Sequence, residues 1–251
     1  MIQPRRWRWC LAATALAGIM ALSACSKGDP DALWKIVNGR CVPDQQQHGD
    51  PAPCALVALD AGEQRGYAVL KDRNGPYQFL LIATAPVSGV ESPVLLAADA
   101  PPYFAAAWRA RSFVEQAAHR ALPREGLSLA VNSRYGRSQN QLHIHIDCLK
   151  PAVRDTLRAH LGEVGDHWAQ LDVPLEGRRY RAMRISEAAF DQANPFALLG
   201  VPQAEMARHT LVAAGTSFED HTPGFILLDD TASLWRLDRG HAEDLQSHSC
   251  S

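Results

Sequence analysis

Apolar and polar positions change period several times along this chain, and each change marks an element. From Gly66 the apolar residues gather into two short runs, Tyr67 to Lys71 and Tyr77 to Ala83, separated by Asp72-Arg73-Asn74-Gly75-Pro76. Short strand-like runs around an Asn-Gly pair, which accepts positive φ, predict an antiparallel hairpin. Tyr103 to Ala121 shifts to three-to-four spacing. Ala106, Ala110, Phe113, Val114, Ala117 and Ala121 share one side, Arg109, Arg111 and Arg120 face water, and one amphipathic helix is predicted with Trp108 and Phe113 in its core. Pro123 and Gly126 end it. Two more strands, Leu127 to Asn132 and Gln141 to Leu149, enclose a polar loop, and Pro151 opens a helix running to about Trp168.

Before the hairpin, Ala32 to Gly39 predicts a brief helix closed by a glycine cap, followed by a loop from Val42 to Pro53. Thr84 to Pro102, broken by prolines, predicts a shaped loop of the kind that lines sites. The second half is plainer: a strand at Arg179 to Ile185, helical stretches at Glu187 to Leu199 and Gln203 to Met206 interrupted at Asn194-Pro195, and a hairpin from Leu211 to Gly215 and Gly224 to Asp229. Leu234 to Leu237 reads as a closing strand and His241 to Gln246 as a short helix. This order echoes the first half in outline, with no residue-level repeat to establish a duplication. Hairpin, helix, strand pair and helix make an α+β layer, an antiparallel sheet with helices packed on it, and not an alternating parallel sheet.

Composition narrows the setting. Lys+Arg number 25 against 27 Asp+Glu, so no field of one sign draws in nucleic acid. Residues 1 to 25 have the form of a secretion signal, with Arg5, Arg6 and Arg8 ahead of an apolar stretch from Leu11 to Leu22 too short to span a bilayer comfortably. Its end, Leu22-Ser23-Ala24-Cys25, matches a bacterial lipoprotein cleavage box, which makes Cys25 the lipidated new N-terminus; a plain signal cut near Ala24 or a short uncleaved anchor are the alternatives. Residues 26 to 251 then form one large domain, with two small ones the other option. The body lies outside the cytoplasm, where Cys41, Cys54, Cys148 and Cys250 can oxidise. Three connectivities are open. The simplest has Cys41–Cys54 closing the local loop, which leaves Cys148–Cys250 to tie the C-terminal tail behind the histidine strand.

The chemistry concentrates in Asn132 to Leu149, NSRYGRSQNQLHIHIDCL. Side chains alternate along a strand, so Gln141, His143, His145 and Asp147 share one face while Leu142, Ile144 and Ile146 take the other. Two histidines and a carboxylate suggest metal ligation, but three successive same-face positions lie about 6.5 to 7 Å apart, too wide to share one ion comfortably, and no metal or cofactor is expected. Gly136, Ser138, Gln139 and Asn140 offer a donor-rich loop suited to phosphate oxygens. A neutral imidazole beside it can attack phosphorus while a second stabilises the charge.

The segment GRSQNQLHIHI resembles the histidine-triad motif, with Gln141 in the place of the first histidine, His143 the second and His145 the third. The resemblance implies a histidine-triad-like fold in which His143 is the nucleophile and His145 the phosphate binder. Asn132 and Ser138 become phosphate-side groups, and the Gln141 amide helps to orient His143; Gln139 and Arg137 join the phosphate side by their place in the motif loop. Over most of the chain, in KIVNGRCVPDQQQ, Pro53-Cys54, YAVLKDRNGPYQFLL, GVESP and AVNSRYGRSQNQLHIHIDC, the sequence is similar to the CDP-diacylglycerol pyrophosphatase family. That similarity implies hydrolysis of CDP-diacylglycerol to CMP and phosphatidate at the periplasmic face of a membrane. The inner membrane is favoured because the substrate is made there. The outer stays open because Ser26 lacks the acidic residue that retains some lipoproteins. Other nucleotide diphosphate esters, or a non-catalytic metal-binding lipoprotein, are the competing readings.

Overall fold

The computed structural model describes residues 28–250; the signal segment and Cys25 lie outside them. An N-terminal arm is formed by α1 (Ala32–Ile36), a π-helical turn (Val37–Cys41) and α2 (Val42–His48). Nine strands follow: β1 (Leu56–Ala58), β2 (Tyr67–Lys71), β3 (Phe79–Ala83), β4 (Leu127–Val131), β5 (His143–Cys148), β6 (Ala169–Gln170), β7 (Arg181–Ser186), β8 (Leu211–Ser217) and β9 (Pro223–Asp229). They form one antiparallel sheet in the order β1-β2-β3-β5-β4-β8-β9-β7-β6. The helices between them are α3 (Tyr103–Arg109), α4 (Arg111–Ala117), α5 (Pro151–Ala159), α6 (Glu187–Gln192) and α7 (Pro195–Leu198).

One sheet face is closed by α3, α4, α6 and α7. Phe104, Trp108, Phe190 and Phe196 pack there on Phe79, Leu81, Ile144, Ile146 and Leu227, with Phe190 stacked on Phe225 at 3.9 Å between centroids. The other face carries two separate apolar patches. The N-terminal arm sets Val37, Cys41 and Val42 on Ala68, Leu80 and Ile82, while α5 and the C-terminal tail set Val153, Leu157 and Leu245 on Val212, Ile226 and Leu228. The histidines of β5 occupy the seam between these patches.

Both halves share one connectivity. In the first, β3, a helix pair, β4 and β5 lie in sheet order β3-β5-β4; in the second, β7, a helix pair, β8 and β9 lie in the order β7-β9-β8. The units meet edge to edge through the antiparallel β4–β8 pair, the relation a two-fold arrangement requires. The outline echo in the sequence is therefore a repeat of topology.

Several expected boundaries move. The first helix does not stop at Gly39: it runs on to a left-handed cap at Gly49, φ 67°. Docking of its apolar side on β3 outweighs the weak propensity of one glycine. The long helix divides at Ala110, where ψ of −4° unwinds a turn. It ends before Ala121 because His119, φ 53°, forms a Schellman cap with bonds from His119 N–H to the Gln116 carbonyl and Arg120 N–H to that of Glu115. The helix from Pro151 stops at Ala159, well short of Trp168. Leu234–Arg236 is a 3-10 turn, not a strand.

Candidate active site

β5 lies between β3 and β4, with His143 opposite Ile82 and His145 flanked by Leu80 and Ala130. Its polar face is not a solvent face: His143 and His145 are 7% and 5% exposed and Asp147 fully buried. One line across the sheet, Leu80, His145, Ala130, Val212, Leu228 and Ala182, holds a single histidine among apolar residues. Burial of an imidazole at such a point requires named partners, and the surrounding loops supply them.

His143 Nδ1 lies 2.6 Å from the Gln141 carbonyl oxygen. A carbonyl only accepts, so Nδ1 carries the proton and Nε2 keeps a lone pair. Burial, reinforced by the His145 ring 5.0 Å away between centroids, lowers the His143 pKa to about 4, which leaves the ring neutral and nucleophilic at pH 7. The Gln141 amide does not take the orienting role expected of it. Its Nε2 donates to the carbonyls of Ala83 and Ala85 at 2.6 and 2.7 Å, fixing the residue so that its backbone oxygen meets His143.

At His145 the Gln78 amide nitrogen donates to Nδ1 across 2.6 Å, which places the ring's own proton on Nε2. That atom is buried with no protein partner, a donor directed at the seam. Burial again brings the pKa to about 4. When the ring gains a second proton, Nδ1 becomes a donor, and the Glu243 carboxylate, 3.3 Å away, is placed to receive it. Glu243 is itself clamped: its Oε1 accepts from Asn132 Nδ2 at 2.9 Å and its backbone N–H donates to Asn132 Oδ1 at 3.2 Å.

The tail therefore crosses the histidine face. Gln246 Nε2 donates to Ser128 Oγ at 3.0 Å and His248 Nδ1 lies 2.8 Å from Asp147 Oδ2. The tail then turns around the end of β5 to the Cys148–Cys250 disulfide. The bridge forms as expected, as does Cys41–Cys54; the tail crosses the strand in front, and the disulfide pins it from behind, on the helix-covered face. Burial pushes the Asp147 carboxyl above its usual range, against the opposing pull of the Cys148 N–H and His248.

The motif loop is shaped by Ser133, whose Oγ accepts from the N–H groups of Tyr135 and Gly136 and donates to the Arg239 carbonyl at 2.6 Å. Gly136 is required here, since a Cβ would stand 2.4 Å from the Gly240 carbonyl oxygen. The Arg137 side chain is almost wholly covered and forked onto Glu91 by two bonds of 2.6 and 2.7 Å. Burial alone would raise the Glu91 carboxyl, yet the guanidinium holds it below its usual value. Arg137 also lines, with Gly89, Asn132, Gln141 and His143, a crevice beside His143 too narrow to hold a water molecule. Gln139 has a different engagement, accepting from Leu33 N–H and donating to the Asp29 carbonyl, while Ser138 is exposed on the loop.

Thus the fold brings Gln141, His143, His145, Asn132 and Arg137 together, places Ser138 at the rim, and uses Gln139 to hold the N-terminal arm. Gln78, Glu243 and His248 were missed by sequence reasoning. Only Cys250 signalled that the tail would reach this strand. Among the described residues the one grouping at metal-ligand spacing is Asp147, Cys148 and Cys250, and its two sulfurs are bonded to each other.

The arrangement offers a neutral nucleophilic nitrogen, an adjacent N–H donor and a clamped carboxylate, the equipment for attack on phosphorus without a metal ligand set. A family model described as CDP-diacylglycerol pyrophosphatase matches residues 28–251. A protein of Yersinia pestis named CDP-diacylglycerol pyrophosphatase is 43% identical over 252 residues, covering 98% of this chain and 95% of its own length.

Proposed function

The chain belongs to the CDP-diacylglycerol pyrophosphatase family, and on that premise we propose that it hydrolyses the diphosphate of CDP-diacylglycerol to CMP and phosphatidate through a cytidylyl-His143 intermediate. The observation that carries the mechanism is the Nδ1 contact of His143 with the Gln141 carbonyl, which frees Nε2 for attack. His143 Nε2 forms a bond to the nucleotide-side phosphorus as the bridging P–O bond breaks, and phosphatidate leaves with those electrons. His145 Nε2–H donates to a non-bridging oxygen of the reacting phosphorus. The positive charge that the nucleophile acquires is shared with the Gln141 carbonyl and lies within the field of Glu243. Water then attacks the same phosphorus, the P–N bond breaks, CMP is released with water's oxygen, and one water proton passes to solvent.

Asn132 acts in this scheme by holding Glu243, and Arg137 by shaping the crevice beside His143. A histidine-triad ancestry accounts for the spacing of the two histidines. Lipidation at Cys25 would hold the enzyme at the periplasmic face, the inner membrane being favoured because the substrate is made there. An enzyme held at a bilayer meets a lipid substrate at raised effective concentration.

Product analysis on CDP-diacylglycerol labelled at the nucleotide-side phosphate tests the reaction. The expected result is labelled CMP, with an acid-labile label on protein in quenched turnover that is missing from His143→Ala. Full turnover by His143→Ala would overturn the mechanism. Turnover of water-soluble CDP esters alone would overturn the substrate and favour another nucleotide diphosphate ester.

A further inference from the structure

Beyond β9 the chain makes a tight excursion, closed by paired bonds between Ser233 and Asp238 of 2.8 and 3.0 Å. Its tip is apolar and stands in the open: Leu234 is 87% exposed, Trp235 fully exposed and Leu237 91% exposed. Two adjacent residues of this kind would be unremarked, but three side chains on one short closed turn make a patch that water disfavours. Leu237 also has φ of 54°, a left-handed conformation in which leucine is strained and glycine is not. The turn thus holds the leucine side chain out in the open.

The surroundings of the tip are cationic. Arg134, Arg208, Arg236 and Arg239 are all exposed, and a cleft of 360 Å³ between the tip and the motif loop is lined by Tyr135, Arg208, Trp235 and Arg239. The acidic residue in that lining, Asp238, faces Arg178 at 3.5 Å. Tryptophan and leucine at a tip with arginines at its base match the apolar-then-anionic profile of a phospholipid surface.

The tip is also bolted to the active site. Ser133 N–H donates to the Gly240 carbonyl at 3.0 Å and Ser133 Oγ to that of Arg239. Four residues after Arg239, a span of at most about 14 Å, Glu243 reaches His145. The N-terminal approach arrives at the same loop, where Asn140 N–H donates to the Pro30 carbonyl at 2.7 Å. Cys25 lies five residues before Pro30, a reach of roughly 18 Å.

We infer that Leu234, Trp235 and Leu237 form an insertion tip that docks on a bilayer containing anionic lipid and seats the histidine seam over its substrate. The inference deepens the lipid-substrate reading given above and rests on it for purpose, but not for the docking itself. Docking here is separate from any anchor at Cys25: the anchor retains the protein at the membrane, and the tip orients it.

The test uses the full chain reconstituted into vesicles of phosphatidylcholine and phosphatidylglycerol containing lipid brominated along its acyl chains. Wild type is expected to show tryptophan quenching that Trp235→Phe removes in large part. In the triple variant Leu234→Ser, Trp235→Ser, Leu237→Ser, kcat/KM on vesicle-borne CDP-diacylglycerol should fall at least about tenfold while a dispersed short-chain CDP-diacylglycerol is cleaved within about twofold of wild type. Unchanged quenching in Trp235→Phe overturns the inference. So does an equal loss on both substrates, or a shift from dimer to monomer in the triple variant, which would assign the patch to a second copy. If wild type cleaves neither substrate and Trp235 is still quenched, the reaction assigned above fails and the docking stands.

Discussion

β5 and β9 hold the same place in two units of like topology, each the last strand of its unit inserted between the two that precede it, yet only one bears histidines. On the face where β5 carries His143 and His145, β9 carries Ile226 and Leu228 under α5. The loops entering them differ as much. Residues 132 to 142 before β5 fold around Ser133 and deliver the Gln141 carbonyl to His143, whereas residues 218 to 222 before β9 make a tight turn closed from Phe218 N–H to the Thr222 carbonyl at 2.9 Å. A strand position is thus permissive and not sufficient. What distinguishes β5 is a seam between two apolar patches, an orienting loop and a tail that supplies a carboxylate.

The comparison breaks most severely at the proposed nucleophile, His143. His143→Ala should lower kcat by about 10³-fold or more, with no label trapped on protein; an unaltered rate would show that the strand's chemistry lies elsewhere. Next is the tail that distinguishes the units. Cys148→Ser with Cys250→Ser opens a crosslink of 102 residues and should cost about 3 to 5 kcal/mol of stability. Activity should suffer more than in the Cys41→Ser, Cys54→Ser pair at matched temperature, because Glu243 and His248 lie on the released segment. Chemical denaturation with parallel assays separates the two.

Transplanting a histidine to the silent unit, Ile226→His, should destabilise the protein by roughly 1 to 3 kcal/mol through a buried, unpaired polar group and add no second nucleophile; a second trapped label would mean the loop is dispensable. Smaller again is Glu243→Gln, expected to reduce kcat about 3- to 10-fold with little change in KM, since it removes charge from beside His145 while keeping an oxygen for Asn132.

The mildest test is pH. His143 has its pKa lowered to about 4 by burial and by His145, so the acid limb of kcat/KM should fall near pH 4 and not near the ordinary imidazole value of about 6.5. Glu243 works against this shift, so Glu243→Gln should move the limb further down. For stability the sign is the same: both histidines bind protons more weakly when folded, so their contribution is complete above about 6.5 and is lost as pH falls towards 4. A limb near 6.5 would contradict the burial of the site.

Much of the first half was legible because its signals are local. Alternation at Gln141 to Asp147 set the faces of β5, and Asn74-Gly75 marked the hairpin, where Gly75 indeed has φ of 64°. Other elements were decided by contacts that no window contains. Gly39 predicted a helix end until Val37 and Val42 found Leu80 and Ile82, and the Leu234 to Leu237 run, read as a strand, closed on itself through the Ser233–Asp238 bridge and became the exposed tip. The Gln141 side chain was credited with a task that its backbone performs, because side-chain identity is visible in a sequence and carbonyl direction is not.

By itself the sequence determined the α+β class, the two histidines and their shared face, an even set of four cysteines after the leader, and the family. These follow from periodicity, from residue chemistry and from resemblance along continuous stretches. Only the tertiary structure decided that His145 answers to Gln78 and Glu243, that the tail crosses the front of β5, and that β9 is an apolar counterpart. Those facts join residues 67 to 118 positions apart or compare strands, and they depend on sheet order and on how the patches of a face are covered, quantities that exist only once the chain has closed on itself.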